Sequence, residues 1–376
     1  MAQLPKHQIV TNWLREQIRT GALGRGDRIS SENELAAQFG VSRQTIRQAL
    51  GALEADGLLS RARGSGTFVR AGLSEARGET PSGAQVGVVM TYLDDYVFPG
   101  ILQGIDEVLT KNGLLFALGI TYNKQRNEEN ALRQMLQAGV SGLIIEGTKS
   151  ALPNANLALF DAFRARGVPI VFLNGCCGAF HDSYVVIDDV HSGELLAEYL
   201  YTQGHRTIGG IFKSDDIQGL KRYEGVLYAA KRLGMRLDDD SVLWYTTEDV
   251  ETLFSGSMDP ILLSRLAGVT STVCYNDQIA ANLICLLRRN GKDVPHDLSV
   301  ASFDDSPLAQ PMLYNLTSAV YPSREMGRTA AQVLLRQMAG ADTCEKRKLP
   351  AALAIRGSVK KLQCHEAFVQ NRKYDG

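Results

Sequence analysis

No stretch of this 376-residue sequence approaches the ~18 consecutive apolar residues that cross a bilayer; runs such as Gly142-Leu143-Ile144-Ile145 stop far short. The start, Met1-Ala2-Gln3-Leu4-Pro5-Lys6, lacks the apolar core of a signal peptide, so the expectation is a cytoplasmic protein. Cysteine is sparse and badly spaced for metal: Cys176, Cys177, Cys274, Cys285, Cys344 and Cys364 form no C-x-x-C pair, and the six histidines form no cluster. Buried reduced thiols are expected, with no metal and no cofactor. The nucleophile elbow G-x-S-x-G and the metalloprotease H-E-x-x-H are both missing. Glu146-Gly147-Thr148-Lys149-Ser150 resembles a phosphate loop, but Thr148 stands between the glycine and the lysine and breaks its spacing. Net charge is also nearly absent at −1, yet it is unevenly spread. Residues 1–70 carry ten Lys/Arg against six Asp/Glu, whereas the rest carries thirty against thirty-five. A basic head on an acidic body suggests that the head alone meets a polyanion.

What is present is ample apolar material: 44% hydrophobic and 22% charged residues exclude global disorder. The length predicts more than one core. Residues 71–85, rich in small and turn-forming types, read as a linker, and residues 363–376 as a polar tail. The expected division is therefore a head at 1–70, the linker at 71–85, a body at 86–362 and the tail.

In the head, Val10, Leu14 and Ile18 mark an amphipathic helix. Ser30-Ser31-Glu32-Asn33-Glu34 caps a second helix that Gly40 stops, and Ser42 caps a third. In that third helix Ile46, Ala49, Leu50 and Leu53 share one face, while Arg43 and Arg47 share an adjoining face with Gln44 nearby. Two short strands then surround Arg63-Gly64-Ser65-Gly66. Helix, turn, an arginine-bearing helix and a glycine-tipped wing together point to duplex DNA. Arg pairs bidentately with guanine and Gln with adenine, at ~1–3 kcal/mol of discrimination each.

In the body, short apolar runs (86–90, 114–120, 143–146, 170–173, 208–212, 271–275, 299–303) alternate with helical segments (99–112, 128–138, 192–203, 219–233, 278–290). This is the rhythm of parallel sheets flanked by helices, long enough for two lobes. Ligands of such sheets bind beyond the carboxyl ends of strands, so polar residues that directly follow strands are the candidates.

The segment from Ile29 to Leu50, followed by Leu53, Gly57-Leu58-Leu59 and Gly64-Ser65-Gly66-Thr67-Phe68-Val69, resembles the winged helix-turn-helix of GntR-family regulators. The resemblance implies operator reading by Glu32, Arg43, Gln44, Thr45 and Arg47, with the wing at Arg63, Gly64, Ser65 and Gly66 in the minor groove. Ser30 departs from the Pro common at that place. The body resembles the LacI/periplasmic-binding-protein-like effector domain through Gly139 to Ile145, Gly167 to Leu173, Gly204 to Ile208, Arg222-Tyr223-Glu224-Gly225, Tyr275-Asn276-Asp277, Val294 to Val300 and Phe303-Asp304-Asp305. That resemblance implies a cleft lined by Tyr96, Phe98, Lys149, Asn174, Asp188, Arg222, Asn276, Asp304 and Tyr321. Such residues suit a neutral sugar, with planar donors and carboxylates for vicinal hydroxyls and aromatic rings for its apolar face.

The pairing of the two implies a homodimeric transcriptional repressor with no enzymatic activity, released from operator DNA by a pentose, L-arabinose foremost. Two alternatives stay open. The ligand can act as a co-repressor, or the body can be an enzyme, since GntR heads also occur fused to bodies that bind pyridoxal phosphate through a lysine. Paired Asp94-Asp95, Asp188-Asp189 and Asp304-Asp305 admit acid and base roles, although adjacent carboxylates usually point different ways and suit turns and caps.

Overall fold

The computed structural model describes residues 6–19, 22–24, 26–55, 58–62, 66–69, 85–93, 96–175, 182–341 and 344–363. Arg63, Gly64 and Ser65 of the wing, Cys176, Cys177, Cys364 and nearly all of the expected linker and tail lie outside these residues. The chain divides into two compact units after Ala84.

The N-terminal unit holds α1 (Lys6–Arg19), α2 (Glu32–Phe39), α3 (Arg43–Ala55) and the antiparallel pair β1 (Leu59–Ala62) and β2 (Gly66–Val69). One apolar stripe from each helix meets in a single core: Val10, Leu14 and Ile18 of α1, Leu35 of α2, and Ile46, Ala49, Leu50 and Leu53 of α3. Trp13 packs edge-on against Phe39, ring centroids 5.1 Å apart. Ser31 and Glu34 close a reciprocal capping box at the start of α2. Gly40, at φ 59°, takes the left-handed conformation that ends α2 and turns the chain into α3.

The C-terminal unit consists of two lobes, each a six-stranded sheet between helices. In the first, β3 (Gln85–Met90), α4 (Phe98–Lys111), β4 (Leu115–Ile120), α5 (Gln125–Ala138), β5 (Gly142–Glu146), α6 (Leu157–Ala165), β6 (Ile170–Leu173) and β7 (Ser183–Ile187) follow one another. The second runs through α7 (Asp189–Thr202), β8 (Ile208–Lys213), α8 (Ile217–Leu233), β9 (Val242–Tyr245), α9 (Val250–Leu253), α10 (Asp259–Leu266), β10 (Ser271–Cys274), α11 (Asp277–Arg289), β11 (Ser299–Asp304) and β12 (Thr317–Val320). The chain then returns to the first lobe for α12 (Ser323–Met338) and β13 (Lys346–Leu349), and ends in the second with β14 (Leu353–Ala354). Three crossings thus connect the lobes.

The sheet orders are β13-β7-β6-β5-β3-β4 and β14-β12-β11-β10-β8-β9, parallel throughout except for β14. Neighbouring residues of the second sheet feed opposite cores: Ile211, Cys274 and Val300 face α10 and α11, while Phe212, Val273 and Ala301 face α7 and α8. Burial on both faces explains why these strands read as continuous apolar runs. Helices α7 and α8 approach so closely that a Cβ on Gly225 would stand 1.9 Å from the Val190 carbonyl oxygen.

The expected strands and helices are present with ends shifted by at most three residues. β7, β9, β12, β13, β14, α6, α9, α10 and α12 are additional. Of the described cysteines, Cys274 is buried as expected, but Cys285 and Cys344 are exposed. Cys285 occupies the face of α11 turned away from its sheet, and Cys344 precedes the edge strand β13.

Candidate functional site: an exposed arginine helix and a charged interlobe cleft

On the N-terminal unit, α3 buries its apolar stripe and leaves Arg43, Gln44 and Arg47 in solvent, with Thr45 half-buried. Ser42 caps the helix by accepting from the Thr45 amide at 3.2 Å. Arg47 donates from Nε and Nη2 to the Glu32 carboxylate, at 3.2 and 2.9 Å. Glu32 therefore stands against the arginine-bearing face of α3, holding one planar guanidinium in a fixed fork. Gly66, at φ 121°, begins the second wing strand.

On the C-terminal unit, sheet topology puts the cleft where strand order reverses. β3 and β5 are neighbours in the first sheet, as β8 and β10 are in the second, and each pair sends its next element in the opposite direction along the sheet. The carboxyl ends of these strands converge on a cavity of about 160 Å³. It is lined by Thr91 and Tyr92 after β3, Glu146 at the end of β5, Asn174 after β6, Lys213 at the end of β8, Tyr275 and Asn276 after β10, and Asp304 at the end of β11. Phe98, Asp216, Arg222 and Tyr321 also belong to the wall. Asn123, Asn174 and Asp304 hold φ at 54°, 60° and 102°. Such backbone is costly for residues other than glycine and persists where the surroundings enforce it, typically at functional sites.

Arg222 anchors the second-lobe side. It is 3% exposed and donates to Asp189 Oδ1 at 3.0 Å, Asp304 Oδ1 at 2.9 Å and the Tyr275 carbonyl at 2.6 Å. Its guanidinium lies 5.0 and 4.7 Å from the Tyr275 and Phe303 ring centroids. Burial opposes its charge, but Asp304 and Asp189 outweigh burial and hold its pKa well above the usual value. Burial likewise pushes the Asp189 carboxyl up to about 6 and raises Asp304, against the lowering effect of Arg222. Opposite, burial raises Glu146, whose oxygens accept from Thr91 and Asn174. Asn276 caps α11 through its side-chain oxygen, which accepts from the Ile279 amide at 2.9 Å.

Six of the nine residues expected in the cleft line this cavity: Phe98, Asn174, Arg222, Asn276, Asp304 and Tyr321. Tyr96 reaches it indirectly by donating to Asp304 Oδ2 at 3.0 Å. Lys149 and Asp188 stand outside the lining. Asp188 caps α7 and pairs with Lys348 at 3.2 Å. Lys149 extends from the first lobe to two carboxylates of the second, Asp215 at 3.0 Å and Glu248 at 2.8 Å. Asn123 to Thr247 and Ser150 to Asp216 add two further hydrogen bonds between lobes, so the cleft is closed. Asp305 pairs with Arg356, and Ser306, one residue later, caps the short helical turn that follows.

Sequence reasoning missed Glu146, Lys213 and Asp216. Glu146 and Lys213 end strands, so the rule that selected Asn276 and Asp304 would have found them, whereas Asp216 stands three residues beyond β8 as the N-cap of α8. Carboxylates, amides and a guanidinium facing tyrosine and phenylalanine rings can hold a small polyhydroxylated molecule from both sides. Among the described residues, no helix is long and apolar enough to cross a membrane.

A winged helix ahead of a two-lobed periplasmic-binding-protein-like body defines a class, the ligand-responsive transcription regulators. Residues 7–69 match the model of bacterial regulatory proteins of the gntR family, and residues 197–359 that of the periplasmic binding protein-like domain. The arabinose metabolism transcriptional repressor of Geobacillus stearothermophilus is 35% identical over 336 residues, 89% of this chain and 92% of that protein. Its namesake in Halalkalibacterium halodurans is 32% identical over 88% of each chain. The chain belongs to this family of arabinose metabolism transcriptional repressors. In fold it also resembles the transcription regulator CcpA of Lactococcus lactis, at a TM-score of 0.64 and 23% identity, over 74% of this chain and 100% of that one.

Proposed function

We propose that this repressor binds operator DNA as a homodimer through residues 1–70 and releases it when L-arabinose occupies the cleft of residues 86–362, with 71–85 as the linker. The observation that carries the reading is that likeness to arabinose metabolism repressors extends over nearly the whole chain, sensing body included. The cleft agrees in chemistry: its acceptors and donors suit vicinal hydroxyls, and its rings suit the apolar face of a pyranose. Arg43, Gln44, Thr45 and Arg47 would read bases, with Glu32 aiming Arg47 and the wing segment 63–66 entering the minor groove. One such helix reads too few base pairs alone, and half-sites a turn apart require a two-fold partner.

Release follows from linkage. A sugar that prefers the closed cleft lowers operator affinity only if closure and operator binding disfavour each other, and operator must then lower sugar affinity by the same factor. The sugar leaves chemically unchanged, and the protein acts in the cytoplasm where its operator lies.

The test is a titration of the purified protein on labelled operator DNA selected from random sequence, at fixed salt, with L-arabinose, D-xylose, D-ribose or D-galactose. Loss of the complex with L-arabinose alone is the expected result. Retention with all four sugars would remove the effector assignment. In the same assay Arg43→Ala should weaken binding by about 1–3 kcal/mol and relax preference at one base pair; equal weakening on every sequence would make Arg43 a phosphate contact.

A further inference from the structure

Most of the charged groups around the cleft are engaged by one another. Arg222 donates from Nε, Nη1 and Nη2. Glu146 accepts on both oxygens. Asp216 accepts from Ser150 and the Gln218 amide on Oδ1 and from the Tyr275 hydroxyl on Oδ2. Lys213, only 8% exposed, lines the same cavity, and its ammonium makes no hydrogen bond among the described residues. Its nearest carboxylate oxygens are Asp216 Oδ2 at 3.9 Å and Asp215 Oδ1 at 4.0 Å, both beyond hydrogen-bond length. Asp215 Oδ1 is itself buried without a hydrogen-bond partner among the described residues. The Tyr92 and Tyr275 rings flank the ammonium, each 5.9 Å away.

A nearly buried ammonium that faces the cavity without a hydrogen-bond acceptor is costly. The ammonium's deficit ends if a ligand hydroxyl oxygen settles beside it, since that oxygen can accept from Nζ while its proton goes to Asp216, which lines the same cavity. An anionic ligand gains less, because Glu146, Asp216 and Asp304 crowd the same space. We infer that Lys213 is a ligand-binding residue of the cleft, donating from Nζ to one hydroxyl of a neutral polyol whose proton a neighbouring aspartate accepts. This deepens the effector reading, on which its sugar arm rests.

Two measurements on Lys213→Met decide it. The first needs no ligand: a residue retained for binding at the expense of stability should leave the variant's melting temperature equal to or above that of the wild type, and a clear fall would identify a structural lysine and overturn the inference. The second is calorimetric titration of both proteins with L-arabinose and its monodeoxy analogues. Lys213→Met should bind L-arabinose at least tenfold more weakly, and one analogue should lose tenfold against the wild type but nothing against the variant. Affinity within twofold of wild type, or the same deoxy penalties in both proteins, would overturn the role. Failure of the wild type to bind L-arabinose would instead sink the effector reading, and the ligand-free melting temperatures would still decide Lys213.

Discussion

Replacing Arg222 with Met removes a buried charge while leaving an unbranched chain between Tyr275 and Phe303, so little of the effect comes from lost volume. Asp189 and Asp304 are left without their cation, at 6% and 8% exposure. Removing one partner of such a buried pair costs about 3–5 kcal/mol. The protein has one escape, protonation of a carboxyl. Burial already raises Asp189 to about 6 with Arg222 in place, and the variant raises it further. A carboxyl whose folded pKa lies above its unfolded value lends stability that is complete below the unfolded value and lost as pH rises through the folded one. The destabilisation should therefore be largest near pH 8 and shrink on acidification by up to ~1.4 kcal/mol per pH unit for each proton taken up. Urea unfolding at pH 5, 6.5 and 8 measures this, in a Trp13→Phe background so that Trp244 alone reports on the second lobe. A loss below about 1 kcal/mol, or one that is the same at every pH, would refute the argument that Arg222 neutralises two buried carboxylates.

Lys149→Met removes the ionic clasp between lobes. With Asp215 buried and Glu248 exposed, the loss should fall between the exposed and buried limits, about 1–2 kcal/mol, which weakens L-arabinose binding roughly 5–30-fold by calorimetry; unchanged affinity would mean that closure does not depend on it. Burial pushes Asp277 up to about 6, with Asp304 adding to it, while Ser302, Ser306 and Ser318 donate to its carboxylate. Its contribution to stability is therefore lost as pH rises through 6, and Asp277→Asn should gain on the wild type by about 2 kcal/mol between pH 4 and 7. Parallel unfolding curves across that range would count against it. Gly225→Ala sets a methyl against the Val190 carbonyl and should cost about 3 kcal/mol or more, a fall of roughly 6–12 °C in melting temperature. An unchanged melting temperature would show that α7 and α8 separate without strain.

What the sequence determined by itself is local. Ser31, Glu34, Gly40 and Ser42 place the ends of two helices through bonds spanning a few residues, so the arginine-bearing helix could be read directly. Apolar runs located the core strands because both faces of each sheet are buried. Asn276 and Asp304 could be chosen because a parallel strand delivers its last residues to the ligand side. The short edge strands β9, β13 and β14 lacked that signal, since one or both of their faces meet solvent. Tertiary structure alone decided what each polar group meets. Lys149, expected in the cleft, spans the two lobes instead, because Asp215 and Glu248 reach it only when the chain has crossed between them. Asp188 serves a helix end while its neighbour Asp189 turns inward to Arg222. Lys213 looked like any strand-end lysine until folding surrounded it with Tyr92, Asp215, Asp216 and Tyr275. Asp215 and Asp216 follow it within the same turn between β8 and α8, but Tyr92 comes from the turn after β3 and Tyr275 from the one after β10, and no spacing along the chain records that these two rings converge on the ammonium.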